Sequence, residues 1–341
     1  MVPSIPYWNI GYATSVVLAN RDDFVEASPW MYGLTSEGQI TAQYGPEQSA
    51  AVAGALSKLR AEGLRIVPTI ANVTRGEWSY QPVARILHSP ELMDQHVAAI
   101  VALAVSAGYA GIDVDYEDLE AADRQAFTLF VTHLAAALQA RGKTLSVALF
   151  AKATDAGYAP RNVAQDYAAI GRVVDQVRLM SYDYHWASSP PGPIAPLSWV
   201  RDVVRYAKTE IPAAKIVLGV PLYGYDWSAG HGTGLSWRQA TRLSAQYQAT
   251  VHYDVTAEAP WFSYTDRSGA PHTVWFEDAE SSKAKFSLAQ EAGLGGVYLW
   301  MYGCEDTGTW RALRDARPAA GSGARTMTWA TGPLTSARAA S

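Results

Sequence analysis

The sequence has a single cysteine, no long basic segment and no hydrophobic run long enough to cross a membrane. Cys304 is the only cysteine among 341 residues, so no disulfide can form within the chain. No stretch of about 18 consecutive apolar residues occurs, which argues against a transmembrane helix. Because the formal net charge is −5 and basic residues do not cluster, nucleic acid is not an expected partner.

The sequence also lacks the spacing of a metal site and a recognisable leader. Its seven histidines are scattered without the intervals typical of zinc ligands, so we expect no metal and no other cofactor. Strand-like sequence begins within a few residues of Met1, which leaves no room for a signal peptide. Either the protein stays inside the cell or a leader has been removed.

Short apolar runs alternate with longer stretches of helical periodicity, a pattern typical of repeated βα units and a parallel sheet. The predicted strands are Pro6–Ile10, Trp30–Leu34, Arg65–Ile70, Gly108–Asp115, Leu145–Phe150, Gln176–Ser181, Ile216–Pro221 and Gly295–Trp300. The predicted helices include Glu91–Ala107, Asp123–Arg141, Val163–Val173, Trp199–Lys208 and Ser281–Ala292. Eight strands is the number in a closed (β/α)8 or TIM barrel, so we predict this α/β fold, which commonly reaches the length of this chain.

One segment, Trp227–Glu280, interrupts the alternation. It contains two strand-like runs, Trp261–Thr265 and Thr273–Phe276, around an Asp-Arg-Ser-Gly turn, which indicates a β-hairpin. We predict a small α+β insertion at residues 227–280, between strands 7 and 8, within a barrel domain at residues 1–317. Small and polar residues dominate residues 318–341, which we predict to be a disordered tail or a truncated linker.

The most informative stretch runs from Ala110 to Glu117 and reads Ala-Gly-Ile-Asp-Val-Asp-Tyr-Glu. Because side chains alternate along a strand, Asp113, Asp115 and Glu117 would share one face, with Cα atoms about 6.6 Å apart. Crowding carboxylates on an otherwise apolar strand is costly unless they share protons or hydrogen bonds, and such a cost usually marks a working site. Glu117 would end the fourth strand, at the edge of the barrel where TIM-barrel catalysts lie.

Two other interpretations of this stretch fit its residues less well. A solvated edge strand would also alternate polar and apolar residues, but Tyr109, Ile112 and Val114 suit a buried strand better. A calcium or magnesium loop also alternates carboxylates, but it needs a glycine turn and polar residues between them. Ile112 and Val114 do not meet that requirement, so we predict catalytic carboxylates and not metal ligands.

This pattern resembles the active-site signature of glycoside hydrolase family 18, the chitinase-like enzymes, written Asp-Gly-x-Asp-x-Asp-x-Glu. Ala110 stands where the family has its first aspartate. Stretches at residues 180–184, 219–227 and 295–300 are similar to the family's sequences at strands 6, 7 and 8. Tyr225 replaces the arginine common among true chitinases, as in the branch of bacterial spore-cortex and cell-wall N-acetylglucosaminidases. The resemblance covers about residues 5 to 312.

The resemblance implies a role for each matching residue. Glu117 would be the general acid, and Asp115 would raise its pKa and accept a hydrogen bond from the acetamido N–H of the substrate. Asp113 would share a proton with Asp115, and Tyr182 would donate to the acetamido oxygen. The implied substrate-binding residues are Met180, Asp183, Tyr184, Trp300, Tyr223, Tyr7 and Tyr32.

The implied activity is hydrolysis of β-1,4 linkages in a GlcNAc-containing polysaccharide or oligosaccharide, by retaining catalysis in which the substrate supplies the nucleophile. Peptidoglycan is the first predicted substrate and chitin the second, with N-glycans and the choice between endo and exo cleavage left open. We expect a monomer at an extracellular or cell-wall location, with the cytoplasm as the alternative. The alternative function is an inactive chitinase-like lectin, and Glu117 discriminates between the two because such relatives usually lack the acid.

Overall fold

Eight parallel strands form a closed barrel in this computed structural model, which describes residues 1–301 and 303–316. The barrel strands, β1 to β8, are Val2–Pro6, Glu26–Leu34, Thr69–Ala71, Gly111–Asp115, Thr144–Phe150, Gln176–Met180, Ile216–Pro221 and Gly296–Trp300. Each strand pairs in parallel with the next one along the chain, and β8 pairs with β1 to close the barrel. The predicted α/β barrel is therefore confirmed.

Helices and short strands surround the barrel. The helices outside the insertion are Ile10–Ala19, Pro46–Ala61, Tyr80–Leu87, Pro90–Ser106, Arg124–Gln139, Pro160–Val163, Tyr167–Val173, Leu197–Glu210, Ala279–Glu291 and Thr309–Asp315. The short strands among the barrel loops are Ile40–Ala42, Arg65–Ile66, Val73–Thr74 and Glu77–Trp78. No helix in the described ranges is long and apolar enough to span a bilayer.

The first predicted strand, Pro6–Ile10, is wrong. The strand β1 ends at Pro6, and a 3-10 turn at Tyr7–Asn9 leads into the helix Ile10–Ala19. That helix buries side chains at the three- and four-residue intervals typical of helices, a periodicity that the strand prediction overlooked. These side chains belong to Ile10, Ala13, Thr14 and Val17.

The predicted helix Val163–Val173 is interrupted. It consists of a short helix, Pro160–Val163, and a second helix, Tyr167–Val173. The second begins after Asp166, whose side chain accepts a hydrogen bond of 2.9 Å from the backbone N–H of Ala169. Aspartate is a favourable residue at this position because its carboxylate satisfies an N–H of the first helical turn.

Between β7 and the helix Ala279–Glu291, the chain forms a five-stranded antiparallel sheet with one helix, which confirms the predicted α+β insertion. Its strands are Tyr223–Ser228, His231–Ser236, His252–Asp254, Ala259–Thr265 and Pro271–Phe276, and its helix is Trp237–Tyr247. The sheet begins at Tyr223, before the predicted start at Trp227, because the first strand pairs with two others. The predicted tail at residues 318–341 lies outside the described residues.

The alternation predicted for β4 is present and divides the strand into two faces. Ile112 and Val114 are fully buried in the apolar core between the barrel and its helices. Asp113 and Asp115 point to the opposite side, into the barrel, where they meet polar groups from other strands. The fold therefore brings the carboxylates of the motif to the barrel interior and to its C-terminal end.

Candidate active site

The deepest carboxylate of the β4 motif is paired with a buried arginine. Arg178 on β6 lies 2.9 Å from Asp113 Oδ2. The hydroxyls of Thr69 and Ser146 donate to Asp113 at 2.8 and 2.6 Å. Both carboxylate oxygens of Asp113 therefore have partners within the barrel, and the proton shared with Asp115 stays a prediction.

Asp115 lies one step nearer the mouth of the barrel and is 8% exposed. Its Oδ2 accepts a hydrogen bond of 3.4 Å from Trp30 Nε1, while its Oδ1 has no hydrogen-bond partner among the described residues. Burial, and then repulsion from Asp113, raises the pKa of Asp115 to about 7. Its carboxyl group can therefore exchange a proton near neutral pH, and one buried oxygen is available to a ligand.

Glu117 lies two residues beyond the end of β4, and not at the end as predicted. Asn72 holds its backbone by accepting from the Glu117 N–H and donating to the Glu117 carbonyl, both at 2.8 Å. The residue is partly exposed to the cleft, yet desolvation raises the pKa of its carboxyl well above the ordinary value, and repulsion from Asp115 and Asp118 adds to the shift. A raised pKa is what a carboxyl group needs in order to act as a general acid.

Tyr182 reaches the same region from just beyond β6. Its ring packs so closely on β7 that a Cβ at Gly219 would lie 2.8 Å from Tyr182 Cε1. Glycine at this position therefore makes room for the ring. Burial raises the pKa of Tyr182 well above its ordinary value, so its hydroxyl remains a hydrogen-bond donor across the physiological range.

Asp183 follows Tyr182 and is held by two tyrosines of the insertion. The hydroxyls of Tyr223 and Tyr225 donate to Asp183 Oδ1 at 2.6 and 3.4 Å. Burial raises the pKa of Asp183, and the two hydrogen bonds oppose that shift. The tyrosines thereby fix the orientation of a carboxyl group that faces the cleft.

A cavity of about 390 Å³ unites these groups at the C-terminal end of the barrel. One wall is a group of aromatic rings around Trp30, with centroids 6.4 Å away for Tyr7, 6.4 Å for Trp78 and 6.5 Å for Trp300. Trp8 joins the group at 5.5 Å. Flat apolar rings beside a few fixed polar groups are typical of small-molecule sites.

Most of the predicted site residues lie together around this cavity, although their roles stay predictions. Two predicted residues lie just outside it: Asp113 is beneath its floor, and Tyr223 lines an adjoining cavity of about 380 Å³ that shares Asp183 and Trp300 with the first. The predicted residues that line the first cavity are Tyr7, Asp115, Glu117, Met180, Tyr182, Asp183 and Trp300.

Tyr32 does not face the cleft, contrary to its prediction as a pocket wall. It follows Trp30 by two positions, which would put both side chains on one face of a regular strand. The pairing of β2 with β3 shifts register between these two residues, so their side chains point to different faces of the strand. Trp30 enters the cavity, whereas the Tyr32 hydroxyl lies 2.8 Å from the hydroxyl of Tyr109 on the outside of the barrel.

Tyr184, a predicted substrate-binding residue, lies away from the three cavities around Asp183. Its ring lies 5.1 Å from the ring of Trp199 and the residue is 48% exposed. It is absent from the linings of the three described cavities around Asp183. The strand β6 ends at Met180. The alternation of side chains along a strand, which would put Tyr182 and Tyr184 on the same face, therefore does not extend to these residues.

Sequence reasoning missed several residues of the site. Trp30 could have been found, since it precedes Tyr32 in a stretch already interpreted as the second strand. Asn72, Trp78, Arg161 and Arg178 had no usable signal, because each acquires its place only when distant segments meet. In the described part of the chain, no group of three or more His, Cys, Asp or Glu residues could hold a metal ion.

Comparison with known proteins agrees with this geometry. The chain matches the family described as "Glycosyl hydrolases family 18" over residues 33–305. The cortical fragment-lytic enzyme of Bacillus subtilis is 36% identical over 301 residues, which cover 85% of this chain and 69% of that enzyme. The chain spans 58% of the length of the matching enzymes of Bacillus anthracis and Bacillus cereus.

Solved structures give the same result. The chitinase of Chromobacterium violaceum has a TM-score of 0.85 and 33% identity, covering 93% of this chain and 98% of that one. The spore cortex-lytic enzyme SleL of Bacillus cereus has a TM-score of 0.82 and 29% identity, covering 92% and 73%. The barrel and its carboxylate-lined cleft define a glycoside hydrolase. The chain belongs to glycoside hydrolase family 18, in the branch of the Bacillus spore-cortex enzymes, as the motifs predicted.

Proposed function

We propose that this enzyme hydrolyses β-1,4 linkages of a GlcNAc-containing polymer and uses the 2-acetamido group of the substrate as the nucleophile. The observation that carries the proposal is that one cavity is lined by Asp115, which has a buried oxygen without a hydrogen-bond partner, by the hydroxyl donor Tyr182 and by Glu117, whose pKa is raised. An acceptor and a donor beside one acid suit an acetamido group, whose N–H and carbonyl need opposite partners. Family 18 is among the exceptions to the two-carboxylate rule for retaining glycosidases.

The reaction follows from these positions. Glu117 donates its proton to the glycosidic oxygen while the acetamido oxygen attacks the anomeric carbon, so the bond to the leaving sugar breaks and an oxazolinium ion forms. Glu117, now a carboxylate, takes a proton from a water molecule that attacks the same carbon and reopens the ring. Two displacements at one carbon retain the β configuration.

Asp115 and Tyr182 orient the nucleophile in this scheme. Asp115 Oδ1 accepts the acetamido N–H and its negative charge stabilises the cationic oxazolinium, an interaction that grows as charge develops. Tyr182 donates to the acetamido oxygen. Trp300 provides the apolar floor beneath the sugar, where it lies in the same aromatic wall as Trp30.

Peptidoglycan is the substrate that we propose first, and chitin second. Tyr225 stands where true chitinases commonly have arginine, which leaves the cleft less tightly clamped and better suited to a sugar with a bulky substituent. The related Bacillus proteins are called cortical fragment-lytic enzymes, which supports the proposal that this enzyme acts at a cell wall or spore cortex. A carbohydrate-binding protein without activity, the alternative from the sequence, is disfavoured because Glu117 is present.

The dependence on the acetamido group provides the test. We expect cleavage of a GlcNAc oligomer with the β anomer formed first, as read by proton NMR, and no cleavage of the same oligomer after removal of its N-acetyl groups. A thiazoline analogue of the oxazolinium should inhibit, because mimics of high-energy intermediates bind tightly. Equal rates on the acetylated and deacetylated oligomers, or an α product, would overturn the mechanism.

A further inference from the structure

The cleft continues past Glu117 into a third cavity of about 240 Å³, which contains Glu117 and Trp186 but neither Asp115 nor Trp300. It adjoins the first cavity, with which it shares Glu117, Met180, Tyr182 and Asp183. A polymer that spans the acid would put its leaving sugar here. Of the described residues that line the three cavities, only Arg161 is a lysine or an arginine.

The guanidinium of Arg161 is positioned by one aromatic ring and one exposed carboxylate, and it can still bind a further anion. Its Cζ lies 4.5 Å from the centre of the Phe150 ring, and its Nη1 lies 3.3 Å from Asp118 Oδ1. The side chains of Arg161 and Asp118 are 42% and 47% exposed. An ion pair with this much exposure to water contributes little stability. An incoming carboxylate could therefore replace Asp118 at small cost and meet the planar donor fork that arginine presents.

Two carboxyl groups, those of Glu117 and Asp183, line the same cavity as Arg161. Burial raises the pKa values of both groups, which favours the uncharged form of each. Arg161 is the one lysine or arginine among the described residues that line this cavity.

We propose that Arg161 binds a carboxylate carried by the 3-O substituent of the leaving sugar, either the lactyl group of a muramic residue or a peptide attached to it. This inference rests on the proposed function. Chitin has no such carboxylate, so Arg161 distinguishes the two substrate classes. The residue determines specificity and takes no part in bond breaking.

Binding to the inactive Glu117→Gln enzyme tests the proposal without turnover. Calorimetry would measure the affinities of two enzymes, the Glu117→Gln parent and the same enzyme with Arg161→Gln added. The two probes are a GlcNAc–muramic acid oligomer with free carboxylates and a chitin oligomer of equal length. We expect the preference for the carboxylate probe to fall about tenfold or more, as for loss of a hydrogen bond to a charged group. Methyl esterification of that probe should weaken its binding to the parent by a similar factor and have little further effect on the variant.

Arg201→Gln, made in the same Glu117→Gln enzyme, is the matched control. Arg201 lies on the outside of the barrel, is half-exposed and forms only a long ion pair of 3.9 Å with Glu291. This control should leave the ratio of the two affinities unchanged. An unchanged ratio in Arg161→Gln, or an equal loss on both probes, would overturn the role of Arg161. Failure of the wild-type enzyme to cleave either oligomer would instead overturn the proposed function.

Discussion

The raised pKa of Glu117 depends in part on one neighbour, Asp115. We expect Asp115→Asn to lower the pKa of Glu117, because the substitution removes a negative charge that favours the protonated acid. Glu117 would then lose its proton at a lower pH, so the basic limb of the kcat/KM profile should move to lower pH. Turnover should also fall, on the order of 10²–10³-fold, with the loss of an electrostatic partner of the transition state.

The pH profile on a GlcNAc oligomer measures this coupling, and Asp94→Asn is a suitable control. Asp94 has a side chain that is 77% exposed on an outer helix, so the profile of this variant should match that of the wild type. A basic limb that stays in place or moves to higher pH in Asp115→Asn would contradict the coupling.

Among the elements of the barrel, three strands are tied together by one buried ion cluster. Arg178 on β6 pairs with Asp113 on β4 at 2.9 Å and with Glu26 on β2 at 3.1 Å. We expect Arg178→Met to lower the free energy of unfolding by about 3–5 kcal/mol at pH 7, because two carboxylates would lose their buried counter-charge. Urea unfolding of the wild type and the variant gives this difference.

Two further observations would identify charge as the cause. The deficit of Arg178→Met should shrink as the pH falls, because protonation neutralises carboxylates that are costly to bury; burial already raises the pKa of Glu26. Arg205→Met removes an exposed pair with Asp202 and should change stability by no more than about 0.5 kcal/mol. A deficit in Arg178→Met equal to that of the control would contradict the account of the cluster.

The elements differ in how far the sequence could predict them. The faces of β4 were predictable because Ile112 and Val114 alternate strictly with the carboxylates and the strand is regular. The outward turn of Tyr32 was not, because it depends on a register shift against β3 that leaves no mark in the residues of β2. Asn72 could not be assigned for a similar reason, since its contact with Glu117 crosses two loops.

At the scale of the whole molecule, the barrel and the position of its catalytic end followed from the number of strands and the order of the motifs. The ion cluster did not, because Glu26 and Arg178 are 152 positions apart and neither lies in a recognisable motif. Arg161 is a similar case: only the closed barrel brings its short helix beside Glu117. Local patterns thus predicted the architecture and the acid, while long-range charge pairs required the structure.

The most direct measurement of the central claim is turnover by Glu117→Gln on a GlcNAc oligomer, together with the affinity for the same oligomer by calorimetry. Glutamine preserves the shape of the side chain but cannot donate the proton, so we expect kcat to fall by about 10²–10⁴-fold or more while the dissociation constant stays within a few-fold of the wild-type value. Turnover close to that of the wild type would contradict the assignment of Glu117 as the general acid.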